Sequence, residues 1–296
     1  MTAQLDLFPA FEPEGGWPVS TLPHPPRLLL GSCAWQHASF DRHFYPRGLP
    51  ANRQIAFYST RFNAVEVDSS FYRVPTPSTV ERWVALTPEH FRFTLKAPKS
   101  LTHDAMLGLD QRLAAADWEN LLALLPCFGR KLGSLLVQLA PDCTIFAFER
   151  LRNVVESIPP DVLTAVEFRH KTWNVPEVGE WLRASGTTRA WVDHYHDPTR
   201  GVRRETEALY EESGKFRYIR LLGDVSIKYN PNRPTGRNFD YGSVLFDRDE
   251  DLPLWVRKAQ GALGRGMAVH LFINNHYQGF APITAQRILM GLNADG

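Results

Sequence analysis

Cysteine is scarce in this chain: three in 296 residues, Cys33, Cys127 and Cys143, at spacings that fit no metal-binding pattern. An odd and sparse set excludes a disulfide framework and points to reduced thiols in a cytoplasm-like compartment. An excess of either charge is also missing. Lysine and arginine total 33 against 32 acids, a net charge of +1. That balance argues against a broad basic nucleic-acid surface and leaves only a local basic cleft open. No apolar run approaches the roughly 18 residues of a membrane span, so no membrane partner is expected. The N-terminus lacks a basic stretch followed by an apolar one, so no signal peptide is expected. No HExxH spacing and no clear glycine-rich phosphate loop occurs. No organic cofactor is therefore indicated, and a divalent metal could come only from scattered ligands.

What the chain does have is a rhythm. Eight short apolar runs start at Leu28, Asn63, Phe91, Ser134, Leu163, Thr187, Phe216 and Met267. Each ends in polar or charged residues. Between most of them lies helical spacing, at about 51–62, 77–87, 110–125, 146–157, 176–185, 250–264 and 281–292. Strand and helix alternating about eight times predicts an α/β fold, a TIM-like (β/α)8 barrel of parallel strands. Thr76-Pro77 is a helix start, Ala281-Pro282 another, and Gly186 a helix stop. Residues 1–26 hold six prolines and predict an irregular leader, leaving 27–296 as one barrel domain. His196 to Gly214 lacks an apolar stripe. Residues 223–249 form a long Gly-, Pro- and Asn-rich connection carrying Lys228, Tyr229, Arg233, Arg237, Phe239 and Tyr241.

Barrel enzymes carry their chemistry at the C-terminal strand ends. Strand parity, a period of two, turns Val65, Val67, Phe93, Leu95, Val166 and Phe168 toward the helices. It turns Glu66, Asp68, Lys96, Gln138, Glu167, Arg169, Asp193, Arg220 and Asn274 toward the axis. Inward charges are costly unless paired, so acids and bases on so many strands predict a shared polar cup. Glu66 and Glu167 are the acid/base candidates, with Lys96 and Asp193 beside them as catalytic candidates. Arg169 and Arg220 suit a carboxylate or phosphate, and Gln138, Asn274 and Asn275 suit ligand orientation. Tyr72, His103, His170 and Trp173 complete the expected substrate-binding rim. A network that only stabilises the strand ends is the alternative for this ring. His270, deep in the last strand, reads as a core histidine and Cys33 as a buried inert thiol.

The segments RFNAVEVDSSFYRVPTPSTVERW, PEHFRFTLKAPKSLTH, KLGSLLVQLAP, AVEFRHKTW and FINNHYQGFAP, in this order, resemble the YecE-like family, a domain of unknown function in bacteria and archaea. The resemblance spans about residues 28–292 and implies a TIM-like barrel but no reaction. Family-like positions at the mouth include Glu66, Ser70, Tyr72, Lys96, Thr102, His103, Gln138, Glu167, Arg169, His170, Trp173, Asp193, Arg220 and Asn275. Four departures stand out: GSCAW where the family reads GTSGW, Asp68 where asparagine is frequent, QLAP for QLPP, and a stretch from Gly223 to Asp251 that is longer and more basic than the family's typical connection. The combined expectation is an enzyme for a small polar, anionic or sugar-like substrate. Hydrolase, isomerase and lyase chemistry stay open. Nucleic-acid binding or processing and a non-catalytic ligand-binding barrel are the alternatives, and oligomeric state is unknown.

Overall fold

A computed structural model describes residues 27–194, 214–223, 245, 248 and 251–294. The expectations for the leader, the sixth connection and the basic and aromatic residues of 223–249 lie outside the described residues.

Eight strands form one sheet: β1 Leu28–Ser32, β2 Ala64–Val67, β3 Arg92–Lys96, β4 Leu132–Gln138, β5 Thr164–Glu167, β6 Thr188–His194, β7 Phe216–Gly223 and β8 Ala268–Ile273. Their order is β1-β8-β7-β6-β5-β4-β3-β2, every pairing parallel, in a nearly closed barrel. The helices are α1 Ala38–His43, α2 Ala51–Tyr58, α3 Ser69–Tyr72, α4 Pro77–Leu86, α5 Arg112–Leu124, α6 Phe148–Glu156, α7 Pro176–Ser185, α8 Leu252–Gly264 and α9 Ala281–Ala294. Local chemistry sets several ends. The Thr76 hydroxyl accepts the Thr79 N–H at 3.3 Å ahead of Pro77, as the sequence predicts. Gly186, at φ +67°, ends α7 in the left-handed region that a side chain disfavours. No described helix is long and apolar enough to cross a membrane.

Parity divides the sheet into two faces. Val65, Phe93, Leu95, Val137, Val166, Ile219 and Leu271 belong to the apolar layer under the helices. Ala64, Leu136, Ala165, Ala190, Tyr218 and Phe272 fill the barrel interior. A buried polar chain crosses that interior: Thr94 Oγ1 to Ser134 Oγ at 3.0 Å, then Ser134 Oγ to His270 Nδ1 at 2.9 Å. Burial holds His270 at a pKa of about 3, so it is a neutral core histidine.

The seam between β1 and β2 is closed differently. No ladder joins these strands among the described residues; side chains bridge them instead. Asn63 Oδ1 accepts the Leu30 N–H at 2.8 Å, and its Nδ2 donates to the Leu28 carbonyl at 2.7 Å. The Tyr58 hydroxyl accepts the Ser32 N–H at 2.8 Å and lies 3.2 Å from the Ala64 carbonyl oxygen. A Cβ at Gly31 would overlap that same carbonyl, so glycine permits the strands' close approach.

Candidate active site at the barrel mouth

Above the buried polar chain, the next inward positions carry charge. Arg220 on β7 is the centre of the group, with 2% of its side chain exposed. Its Nε and Nη2 grip the two oxygens of Glu66 at 3.0 and 2.5 Å. Its Nη1 reaches Glu167 Oε2 at 2.5 Å and Gln138 Oε1 at 2.9 Å. One planar guanidinium thus ties β2, β4, β5 and β7 together, a task that a lysine's single ammonium could not do. The Tyr218 hydroxyl donates to Glu66 Oε2 at 2.5 Å. Tyr218 lies two residues before Arg220 on the same strand and is absent from the expected site residues, although parity counted back from Arg220 turns it to the axis.

A second, more exposed tier lies around this centre. Asp68 accepts from Lys96 Nζ at 3.3 Å and lies 3.6 Å from Arg220 Nη2, its side chain 29% exposed. The Lys96 ammonium sits 4.2 Å over the Phe71 ring. Ser70 fixes the Lys96 backbone, accepting its N–H at 2.9 Å. Arg169 donates from Nε to Glu167 Oε1 at 2.7 Å. Three acids, Glu66, Asp68 and Glu167, therefore meet three bases, Lys96, Arg169 and Arg220.

The two buried glutamates are pushed apart. Burial works to raise Glu167, but Arg220 and Arg169 outweigh it and hold the carboxyl at about 2. Burial also raises Glu66; Arg220 opposes it, Asp68 adds to it, and the net direction is upward. Glu167 is a fixed anion, whereas Glu66 is the acid whose proton is more readily retained. Burial first, then Glu66, pushes the Tyr218 hydroxyl well up, so it stays a donor.

Other expected site residues fall elsewhere. Asp193 does not face the axis. Val192 pairs with Arg220 in register and packs with the interior cluster, so Asp193 takes the opposite face, 3.9 Å from Arg248. Trp173 is fully buried, its indole N–H donating to the Cys143 carbonyl at 2.7 Å, and is out of a substrate's reach. Asn275 accepts the Ala281 N–H at 2.9 Å and donates to Ser39 Oγ at 3.3 Å, fastening the start of α9. His170 accepts the Thr172 N–H at 3.3 Å and caps a short turn. The Asn274 side chain accepts the His276 N–H at 3.0 Å. Tyr72 stands on the rim, 79% exposed. His103 makes a T-shaped contact with Phe71 at 4.9 Å between centroids.

Cys33, Glu66 and Asp68 offer ligand atoms within 4.8 Å of one another. Both Glu66 oxygens are already held by Arg220, and Asp68 is flanked by two cations. A divalent ion would have to displace a guanidinium there, so the donor set suits a metal poorly. Burial above all, with Glu66 next, drives the Cys33 thiol well up, away from a nucleophilic thiolate.

The chain has recognisable relatives. The model of a family described as a protein of unknown function, DUF72, matches residues 29–296. The Bacillus subtilis (strain 168) protein UPF0759 protein YunF is 28% identical over 170 residues, 56% of this chain and 58% of that protein. The Escherichia coli (strain K12) UPF0759 protein YecE is 26% identical over 193 residues, 64% of this chain and 66% of its own length. The matched stretch thus covers less than two thirds of either relative. A DUF72 family structure from Thermotoga maritima MSB8 superposes with a TM-score of 0.67 at 22% identity, covering 90% of this chain and 98% of that one. Another, from Enterococcus faecalis V583, gives 0.66 at 19% identity, covering 90% and 95%. At these identities the structures speak for the fold alone.

Proposed function

The chain belongs to the DUF72 family of unknown function, and we propose that it is an enzyme using carboxylate acid/base chemistry on a small polar, anionic or sugar-like substrate at the barrel mouth. One observation carries this reading: a single buried arginine, Arg220, is shared by two glutamates whose proton affinities are driven in opposite directions. A structural tie does not require that split, whereas proton transfer uses it. In this reading Glu66 carries the proton. Asp68, whose oxygens approach Glu66 and reach solvent, passes it to the substrate or receives it. Glu167 stays ionised and positions Arg220 and Arg169. Lys96 and Arg169 hold the substrate's negative charge. The three free thiols suit a reducing, cytoplasm-like compartment.

Thermal-shift measurements test the reading directly. Sugar phosphates, small carboxylates, divalent metal salts and short DNA would be screened against the wild type and Lys96→Met. A ligand at 100 times its dissociation constant stabilises by about 2.7 kcal/mol. We expect at least one small anion to raise the wild-type melting temperature by several degrees, with most of that shift lost in Lys96→Met. Stabilisation by DNA alone would turn the reading to a nucleic-acid protein. Stabilisation by no anion would reject it.

A further inference from the structure

His103 is held with unusual care. It lies on a π turn, Ser100–Asp104, directly after β3. The backbone then runs through two adjacent non-glycine residues at positive φ, Met106 at 44° and Leu107 at 66°. Such backbone costs energy and persists only where its surroundings enforce it; it clusters, like π turns, at functional sites. Here the Leu107 N–H is bonded to the Leu101 carbonyl at 2.8 Å, the Ala105 N–H to the Ser100 carbonyl at 2.9 Å, and the Ser100 hydroxyl to Asp117 at 2.5 Å.

Hydrogen bonding assigns the imidazole's proton. The Thr102 hydroxyl has one hydrogen and donates it to the Pro98 carbonyl at 3.0 Å. The 2.9 Å contact between Thr102 Oγ1 and His103 Nδ1 is then an Nδ1–H donating to the hydroxyl oxygen. Burial, then Arg169, Lys96 and Lys99, lower the histidine to about 4, with Asp104 the one acid that opposes them. The ring is therefore neutral near pH 7, with its proton on Nδ1 and a bare lone pair on Nε2. No described residue bonds to Nε2.

The surroundings of that lone pair are cationic. Phe71 touches both neighbours, the histidine ring in a T-shaped contact and the Lys96 ammonium over its face. Arg169 spends Nε on Glu167, and its terminal nitrogens have no partner among the described residues. Lys96 and Arg169 thus stand near enough to the ring to lower its proton affinity, and Phe71 touches both the ring and the Lys96 ammonium, so two positive groups and one neutral acceptor are neighbours. A bare anion would pair with the cations but leave Nε2 unmatched. We infer that the substrate carries a hydroxyl next to its anionic group, as in hydroxy acids, sugar acids and sugar phosphates, and that His103 selects for it by accepting that hydroxyl's hydrogen bond. This rests on the anion-binding reading above and adds a specificity-determining residue to it.

Matched probes separate the two claims. Calorimetry would compare glycerol 3-phosphate with propyl phosphate, and glycerate with propionate. In the wild type we expect the hydroxylated member of at least one pair to bind about tenfold more tightly, the worth of one good hydrogen bond. His103→Phe should abolish that preference while keeping the affinity for the plain anion. His103→Gln, whose side-chain oxygen falls near the position of Nε2, should restore part of it. Equal wild-type affinity within both pairs would overturn the inference and leave the anion site standing. No binding by any of the four would overturn both. Imidazole 15N spectra of the wild type give a check free of any variant: the proton should be on Nδ1, and a proton on Nε2 at neutral pH would overturn the assignment.

Discussion

Arg220→Met is expected to destabilise the folded chain by about 3–5 kcal/mol at neutral pH, because it strands buried carboxylates without their cation. Arg220 provides both nitrogens that hold Glu66, and the one that holds Glu167 and Gln138. Arg220→Lys should recover little, since one ammonium cannot reproduce a bridge across four strands. The loss should depend on pH with a definite sign. In the wild type Glu167 is lowered from 4.5 to about 2, so its stabilisation is present above the ordinary carboxylate range and fades as pH falls toward 2. Without Arg220, burial raises Glu66 further and Glu167 keeps only Arg169 against its own burial; the variant's penalty then grows as pH rises through the raised Glu66 value. Urea midpoints at pH 7 and pH 4 should show the gap between wild type and variant narrowing at the lower pH. A gap independent of pH would mean that the glutamates do not depend on this arginine for their charge.

Asn63→Leu should cost about 2–5 kcal/mol. The substitution keeps the branched four-atom side chain but leaves the Leu30 N–H and the Leu28 carbonyl without their partner, at about 1–3 kcal/mol for each buried group. Gly31 follows Leu30 directly, and a Cβ there would overlap the Ala64 carbonyl, so the two strands are in close approach beside these bonds. Hydrogen exchange at the Leu30 amide should quicken together with the fall in stability. A loss under about 1 kcal/mol would mean that Tyr58 alone keeps the seam shut.

Most of the barrel was legible because its signals are local. Apolar runs predict the start of all eight strands within two residues, and helix 176–185 appears with the same bounds, set by Pro176 and Gly186. Short elements escaped: α1, α3 and the π turn at Ser100 are too brief to show a period. Parity brought Glu66, Lys96, Gln138, Glu167 and Arg220 to one mouth but misjudged Asp193, since the count along β6 started on the wrong face. Distinguishing a gripping residue from a fastening one needed three dimensions. Asn275 and Trp173 look like mouth residues in a sequence, yet their polar atoms are engaged by Ala281, Ser39 and the Cys143 carbonyl. The Asn63 suture had no signal at all, because a side chain standing in for a strand ladder leaves no pattern.

The division of labour between the two buried acids is most directly measured by carboxyl 13C NMR of glutamate-labelled protein across pH, with Glu66→Gln and Glu167→Gln used for assignment. Glu167 should remain ionised down to about pH 2, while Glu66 titrates above the ordinary glutamate value. Coincident titration of both near that ordinary value would contradict the split on which the proposed proton transfer stands.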